Sequence, residues 1–285
     1  QAEDGIRDTS RGLVGSEMCI RDSGKEPLSV IDPRALVDPG AELDDGVSVG
    51  PFSVIGPGVR IGRGTSVGPH AVIKGPTRIG EDNRVFQFAS IGEDPQDKKY
   101  RGELTYLEIG HRNQIREFAT IHRGTLQDRS LTRIGDDNLL MAYTHVAHDC
   151  RVGSHTILAN AASLGGHVHL DDWAILGGFS MVHQFCRVGQ HCFAAMGSAI
   201  SKDVPPYCLV AGHPAKPHGI NSEGLKRRGF ASEQLRVIKQ AYKTLYASGL
   251  SLAAAREQIS AAAAESAEMR VLADFLAASE RSIAR

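Results

Sequence analysis

The amino-acid sequence predicts a mainly β chain, a parallel β-helix that is followed by a smaller α-helical domain. Aliphatic residues recur every six positions through most of the first 205 residues. Glycine often follows such a residue, and a small side chain often stands two positions before it. A period of six matches neither the repeat of a helix nor the alternation of a strand, and is typical of stacked hexapeptide coils.

The aliphatic repeat also predicts how the coils are built. It runs in steps of six from Ile31 to Ile91, resumes from Ile109 to Ile121, shifts once, and continues from Ile134 to Val188. Three hexads make one triangular coil, and about eight or nine coils stack at the strand spacing of about 4.8 Å. The glycines are expected where a Cβ would crowd the backbone at a corner, and the aliphatic and small side chains are expected to fill a narrow core.

The chain divides into three predicted regions. Residues 1–28 follow neither pattern and are expected to be a non-native-looking or disordered tail, since residues 11–23 resemble a translated cloning adaptor. Residues 29–205 form the β-helix, interrupted by polar loops at 92–108 and 123–133. Residues 206–285 are a linker and a helical domain, with Ser232 as an N-cap, Gly249 as a helix stop, and further helices over 251–264 and 269–278.

Composition narrows the classes of partner. The net charge of −1 provides no general basic surface for nucleic acid, and no apolar run approaches the roughly 18 residues that span a membrane. Of the five cysteines, Cys150, Cys186 and Cys192 stand at inward positions of the repeat, where a thiol packs as a small apolar group. We therefore expect a soluble, cytoplasmic protein in a reducing compartment.

One segment of the repeat has the residues for acid–base chemistry. Residues 144–150 read Thr-His-Val-Ala-His-Asp-Cys, so His145 and His148 flank an aliphatic position and Asp149 follows directly. A neutral imidazole can remove a proton from a hydroxyl group near neutral pH, which makes His148 a candidate general base. Asp149 is a candidate to raise its basicity, although neighbouring residues in a strand point to opposite faces.

Several motifs resemble one known family, the UDP-N-acetylglucosamine 3-O-acyltransferases of lipid A biosynthesis, which are hexapeptide-repeat acyltransferases. The resemblance runs from about Val30 to the C-terminus. The segments that carry it are 87–92 (QFASIG), 121–125 (IHRGT), 144–150 (THVAHDC), 182–186 (VHQFC), 203–207 (DVPPY) and 223–230 (EGLKRRGF).

The resemblance implies a left-handed β-helix, a homotrimer with active sites between subunits, and a reaction without metal or cofactor. The implied reaction transfers a (3R)-3-hydroxyacyl chain from acyl carrier protein to the 3-hydroxyl group of UDP-N-acetylglucosamine. His148 matches the family's catalytic base, Asp149 would tune it, and Gly166 matches the residue whose backbone N–H stabilises the oxyanion.

The resemblance also implies substrate contacts. Those in the first loop are Gln96, Asp97 and Lys99; those lining the site are His145, His167, His183 and Gln184; those in the helical domain are Asn221, Glu223 and Arg227. Met196 matches the far end of the acyl groove, where a bulky residue accompanies shorter chains, so we expect a donor of about ten carbons. For Lys226 and Arg228 there are two alternatives: they belong to a solvated helix face, or they form a basic surface of the helical domain that meets the acidic carrier protein, which is the one we favour.

Other readings of the repeat stay open. The twelve histidines permit a zinc-dependent enzyme of the gamma carbonic anhydrase type, although their spacing contains no compact three-histidine set. A non-catalytic hexapeptide scaffold is a further alternative, but it has no use for the 97–100 loop or the 223–230 motif. The sister N-acyltransferase of the same pathway would carry an additional N-terminal uridine-binding domain, for which residues 1–28 are too few.

Overall fold

The computed structural model describes residues 30–264, 266–279 and 282–285, so the predicted tail at 1–28 lies outside the described residues. Most strands are only two residues long, with the second residue at the aliphatic position of the repeat. The strands are β1 (Val30–Ile31), β2 (Leu36–Val37), β3 (Glu42–Leu43), β4 (Ser48–Val49), β5 (Val54–Ile55), β6 (Val59–Ile61), β7 (Ser66–Val67), β8 (Val72–Ile73), β9 (Thr77–Ile79), β10 (Arg84–Val85), β11 (Ser90–Glu93), β12 (Tyr106–Ile109), β13 (Gln114–Ile115), β14 (Thr120–His122), β15 (Leu131–Ile134), β16 (Leu139–Leu140), β17 (His145–Val146), β18 (Arg151–Val152), β19 (Ile157–Leu158), β20 (Ser163–Leu164), β21 (His169–Leu170), β22 (Ile175–Leu176), β23 (Met181–Val182), β24 (Arg187–Val188), β25 (Phe193–Ala194), β26 (Ala199–Ile200), β27 (Cys208–Ala211) and β28 (Lys216–Ile220).

Every third strand belongs to the same parallel sheet, which makes a left-handed β-helix of triangular cross-section. The first sheet begins with β1 and β4, the second with β2 and β5, and the third with β3 and β6. In uninterrupted coils the partner strands are 18 residues apart, as in the pair His145↔Ser163. Eight complete coils and the first two strands of a ninth stack in this way, and β27 begins a further turn of the first sheet.

The aliphatic and small positions of the repeat fill the core, as predicted. Ile55, Ile73 and Leu164 are at most 1% exposed, and the small residues Ala71 and Thr144 are also buried. The glycine that follows many aliphatic positions allows the next coil to approach, since an added Cβ at Gly80 would lie 2.6 Å from the Gly110 carbonyl oxygen.

The chain bends at three corners in each coil. We call them the first corner (first to second sheet), the second corner (second to third sheet) and the third corner (third sheet to the next coil). At many corners a non-glycine residue adopts a left-handed backbone conformation, as do Asp149 (φ 59°) and His167 (φ 61°) at the second corner. Both predicted loops leave the solenoid at the second corner of successive coils, at 94–105 and 123–130.

The helical domain covers the last coil. Its helices are α1 (Ser222–Arg227), α2 (Ser232–Tyr246), α3 (Leu252–Ala261) with a 3₁₀ turn at Ala262–Ala264, and α4 (Ala267–Ala278). Leu245, Ile259, Leu272 and Leu276 form part of the apolar core between α2, α3 and α4. Among the described residues, no helix is both long and apolar enough to cross a membrane.

Three details of this region differ from the sequence prediction. The first sheet continues past the predicted boundary at residue 205, because β27 pairs with β25 and then forms an antiparallel hairpin with β28. Ser232 is the first residue of α2 rather than its N-cap, and the Gln234 side chain accepts a hydrogen bond from the N–H of Ala231, the residue at the cap. Helix α1, for which the sequence predicted a helix face at Lys226 and Arg228 but no bounds, precedes the long helices.

Candidate active site

The second corner brings together the residues proposed for the chemistry. His148 and Asp149 lie between β17 and β18, and Gly166 and His167 occupy the equivalent bend one coil later. The loop at 123–130 leaves the same corner one coil earlier. Because coils stack at about 4.8 Å, equivalent corner residues from successive coils lie within contact distance.

Asp149 directly holds the imidazole ring of His148. The two atoms Nδ1 of His148 and Oδ2 of Asp149 are 2.9 Å apart. The sequence argument that adjacent residues point to opposite faces fails here, because these residues form a bend outside the strands and Asp149 has a left-handed backbone. The bond directs Nδ1 of His148 towards the carboxylate. Nε2 is then the ring nitrogen that Asp149 does not engage.

The Asp149 carboxylate is buried, and it accepts further hydrogen bonds. The Thr125 N–H lies 2.9 and 3.1 Å from the two carboxylate oxygens, and the Thr125 hydroxyl donates to Oδ2 at 2.6 Å. Burial alone would raise the pKa of Asp149, but the hydrogen bonds from His148 and Thr125 outweigh it and hold that pKa below its usual range. The carboxylate is therefore ionised opposite His148 at neutral pH.

Gly166 lies against the His148 ring. A Cβ added at Gly166 would lie 2.5 Å from Cε1 and 2.7 Å from Nε2 of His148, so only glycine leaves the ring in its observed place. The N–H of Gly166 has no hydrogen-bond acceptor among the described residues. A backbone donor next to the His148 ring is available to stabilise an oxyanion that forms on the carbonyl oxygen of an acyl group held there.

His167 forms a second held imidazole in the same cluster. Its Nδ1 lies 3.1 Å from Oδ2 of Asp128, and its ring stacks on Phe185 with centroids 4.4 Å apart. It also meets the His148 ring edge to face at 5.1 Å. His167 therefore lies next to His148, and its predicted contact with substrate stays a prediction.

His122 lies two coils before Gly166 and is buried, and His145 lies one coil before Gly166 and is partly buried. Their rings meet edge to face at 5.0 Å, and the Thr120 hydroxyl lies 2.7 Å from Nδ1 of His145. Burial lowers the pKa of His122 to about 4, with a further contribution from His145. Burial, and then the charge of His148, also lowers the pKa of His145. His122 was not chosen from sequence as a site residue. The signal that could have selected it is its place in segment 121–125, which carries the family resemblance.

The ligand atoms of His148, Asp149 and His167 lie within 4.8 Å of one another, which is close enough to test for a metal site. Both oxygens of Asp149 already accept hydrogen bonds from Thr125, and Oδ2 also faces Nδ1 of His148. A zinc ion needs carboxylate and imidazole lone pairs that are free to coordinate it. The hydrogen-bonded set does not fit a metal and fits a histidine–carboxylate pair.

Other predicted contact residues lie on the first loop or at the second corner, and the structure shows how exposed they are. Gln96 and Lys99 are exposed on the first loop, and the Asp97 carboxylate accepts a hydrogen bond from the Lys99 N–H at 2.9 Å. His183 and Gln184 are exposed at the second corner, one coil after Gly166. The first loop is held at its base by Arg123, whose guanidinium contacts Gly92, Asp94 and Tyr100.

The helical-domain residues lie at the third corner of the same chain. Asn221 is the N-cap of α1: its side chain accepts from the Gly224 N–H and donates to the His191 carbonyl oxygen. Glu223 and Arg227 are exposed on α1, and Glu223 pairs with Lys226 at 2.9 Å.

Arg228 corrects a sequence expectation. It is not a solvated residue of a helix face, because its guanidinium lies 5.0 Å over the Trp173 ring and contacts Nδ1 of His191 at 3.0 Å. Burial lowers the pKa of Arg228. Arg228 therefore packs between the helical domain and the solenoid and contributes to their interface.

The fold and the histidine–aspartate pair place the chain in the class of hexapeptide-repeat transferases. The family described as bacterial transferase hexapeptide (six repeats) matches residues 40–75 and 131–166, and domain 2 of UDP N-acetylglucosamine O-acyltransferase matches residues 203–284. An acyl-(acyl-carrier-protein)–UDP-N-acetylglucosamine O-acyltransferase from Thiobacillus denitrificans is 57% identical, over 90% of this chain and 100% of that protein. The chain belongs to this family of O-acyltransferases.

Solved structures agree with this assignment. The UDP-N-acetylglucosamine acyltransferase of Francisella novicida matches with a TM-score of 0.89 and 45% identity, over 90% of this chain and 94% of that one. The UDP-N-acetylglucosamine O-acyltransferase of Moraxella catarrhalis matches with a TM-score of 0.87 and 42% identity, over 90% and 99% of the two chains. The predicted β-helix and helical domain are confirmed by these likenesses.

Proposed function

We propose that this protein transfers a (3R)-3-hydroxyacyl chain from acyl carrier protein to the 3-hydroxyl group of UDP-N-acetylglucosamine, the first step of lipid A biosynthesis. The names of the relatives supply the classes of donor and acceptor. The observation that carries the chemistry is His148, with Nδ1 bonded to Asp149 and Nε2 beside Gly166. In the part of the chain that the structure describes, Cys150, Cys186, Cys192 and Cys208 are buried and form no disulfide, which is compatible with a cytoplasmic location for this reaction.

In this proposal His148 is the general base. The sugar hydroxyl has a pKa far above 7, so it attacks a thioester poorly unless its proton is removed as the new C–O bond forms. Nε2 of His148 accepts that proton, and Asp149 stabilises the resulting imidazolium. The N–H of Gly166 donates to the oxyanion of the tetrahedral intermediate. Its collapse breaks the C–S bond, and the departing sulfur takes the proton from the imidazolium.

We propose that the site is completed by a neighbouring copy of the chain in a homotrimer. Gln96, Asp97, Lys99, His145, His167, His183 and Gln184 would contact substrate at the second corner, and Asn221, Glu223 and Arg227 would contact the nucleotide or sugar from the helical domain. In one chain these groups occupy different corners, so a site that uses both needs two copies. Exposed aromatic residues at the first corner, among them Tyr143 (61%) and Phe179 (66%), supply apolar surface for such contacts.

We propose that Met196 limits the donor to about ten carbons. Met196 lies at a first corner and is 77% exposed, so its side chain is free to occupy a groove between coils. Each methylene kept out of an apolar groove forfeits about 0.8 kcal/mol, and two such groups give roughly a tenfold preference for the shorter chain.

Competition between ten- and fourteen-carbon donors tests this limit. The wild type should prefer the shorter donor, Met196→Gly should shift towards the longer one, and Met196→Leu, which keeps the volume, should behave as wild type. A wild type that prefers fourteen carbons, or a glycine variant without a shift, removes the role of Met196.

The activity itself is tested with purified protein, UDP-N-acetylglucosamine and hydroxyacyl carrier protein, with zinc content measured on the same sample. Acyl transfer without stoichiometric zinc supports the proposal. Absence of transfer with every donor length rejects it, and transfer that needs bound zinc supports a metal-dependent enzyme.

A further inference from the structure

The loop at 123–130 packs against the catalytic corner instead of extending into solvent. Its chain is closed on itself, because the Thr125 carbonyl oxygen accepts from the Ser130 N–H at 3.0 Å. An added Cβ at Gly124 would lie 2.1 Å from the Leu131 nitrogen, so the base of the loop is tightly packed. The loop therefore has a defined shape where it meets His148 and His167.

Thr125 contacts the active-site carboxylate with two donors. It is 2% exposed, and both its N–H and its hydroxyl donate to Asp149, 24 residues later. The Asp149 N–H is held separately by the Thr132 hydroxyl at 2.8 Å. With these donors in place, Oδ2 is fixed opposite Nδ1 of His148, which requires the proton on Nδ1 and the lone pair on Nε2.

Asp128 on the same loop makes an equivalent contact with the second histidine. Its Oδ2 lies 3.1 Å from Nδ1 of His167, 39 residues later. This carboxylate fixes the His167 proton on Nδ1 and directs Nε2 towards the Asp149 side, where it lies 3.8 Å from Oδ2. One short loop thus orients both imidazoles of the corner.

We propose that Thr125 and Asp128 are positioning residues, which set the tautomer and orientation of His148 and His167 from a single loop. The inference rests on the proposed role of His148 as the base. It assigns to the loop a function that its polar sequence alone does not distinguish from a solvated excursion.

The test compares Thr125→Val with Thr125→Ser. Valine keeps the shape and the backbone N–H but removes the hydroxyl donor, and serine retains that donor. Because a hydrogen bond to a charged group is worth about 1.5–3 kcal/mol, kcat of the valine variant should fall roughly 10- to 100-fold, and the serine variant should stay close to wild type. The KM for UDP-N-acetylglucosamine should change little, since Thr125 contacts Asp149 and not solvent.

The pH profile separates positioning from folding. The titratable groups around His148 are Asp149, His167, His145 and His122, with Asp128 behind His167. Loss of the Thr125 hydroxyl leaves the negative charge of Asp149 stabilised by one hydrogen bond fewer, so the carboxylate favours an imidazolium at His148 more strongly. The acid limb of kcat/KM should therefore move to higher pH in Thr125→Val. A variant that is only less well folded loses active protein without moving this limb.

Asp128→Ala and Asp128→Asn give an independent measurement, since asparagine keeps an acceptor for the Nδ1 proton of His167. The alanine variant should lose more activity than the asparagine variant. Gln127→Ala, whose exposed side chain lies on the same loop, is the matched control and should retain wild-type kcat.

The inference is overturned if Thr125→Val has wild-type kcat, if valine and serine lose activity equally, or if the acid limb does not move. Failure of the proposed function is distinct from these outcomes, because it is seen as absence of acyl transfer in the wild type or as full activity in His148→Ala.

Discussion

Replacing Gly166 with alanine tests the geometry of the active site most directly. The new Cβ would lie 2.5 Å from Cε1 of His148, whereas an ordinary contact needs about 3.4 Å, so the ring must move by about 0.9 Å. A misplacement of about 1 Å in a catalytic group can lower the rate on the order of 100-fold. We expect kcat to fall by about that factor, with a smaller effect on stability because the ring can turn towards solvent.

The assay is acyl transfer from hydroxyacyl carrier protein, with thermal unfolding measured on the same preparations. Gly56→Ala is the matched control: Gly56 follows an aliphatic position in an early coil, and its added Cβ meets no atom closer than 3.4 Å. The control should keep wild-type kcat. A wild-type kcat in Gly166→Ala, or an equal loss in both variants, would refute the placement of His148 against Gly166.

Three further predictions follow from the same structure. His148→Ala should lower turnover about 10²- to 10⁴-fold with the assembly intact, and Asp149→Asn should lower it less if the carboxylate only orients and tunes the ring; equal losses would instead indicate an obligatory pair. The pKa values of His122 and His191 are both lowered to about 4, first by burial, from the usual 6.5. As pH falls, these two protons therefore bind to the unfolded chain before they bind to the folded one. The contribution of the two histidines to the free energy of unfolding should be constant above about pH 7, and each should lower that free energy by roughly 2 kcal/mol at pH 5. Urea denaturation at pH 8, 7 and 5 checks this, and greater stability at pH 5 contradicts it. Sedimentation at micromolar concentration should show a trimer, and a fully active monomer would exclude a site shared between chains.

The solenoid was predictable because its information is local and repeated. Each hexad places an aliphatic residue such as Ile73 inward and tolerates little else, so the period alone predicts coils and core. The burial of Cys150 and Cys186 follows from the same register. Where the repeat ends, prediction was weaker: the β27–β28 hairpin is held by pairing with an earlier coil, and no periodic pattern marks it.

By itself, the sequence determined the hexapeptide fold, the helical domain and, through its motifs, the family and the identity of His148 as candidate base. Only the tertiary structure decided how these residues act on one another. The bend at Asp149 turns neighbours that a strand would separate into a bonded pair, and the loop at 123–130 reaches them across 24 and 39 residues of chain. Arg228, expected in solvent, packs on Trp173 for the same reason. Such contacts depend on which corners the coils superimpose, which is a property of the stacked solenoid and not of any short segment.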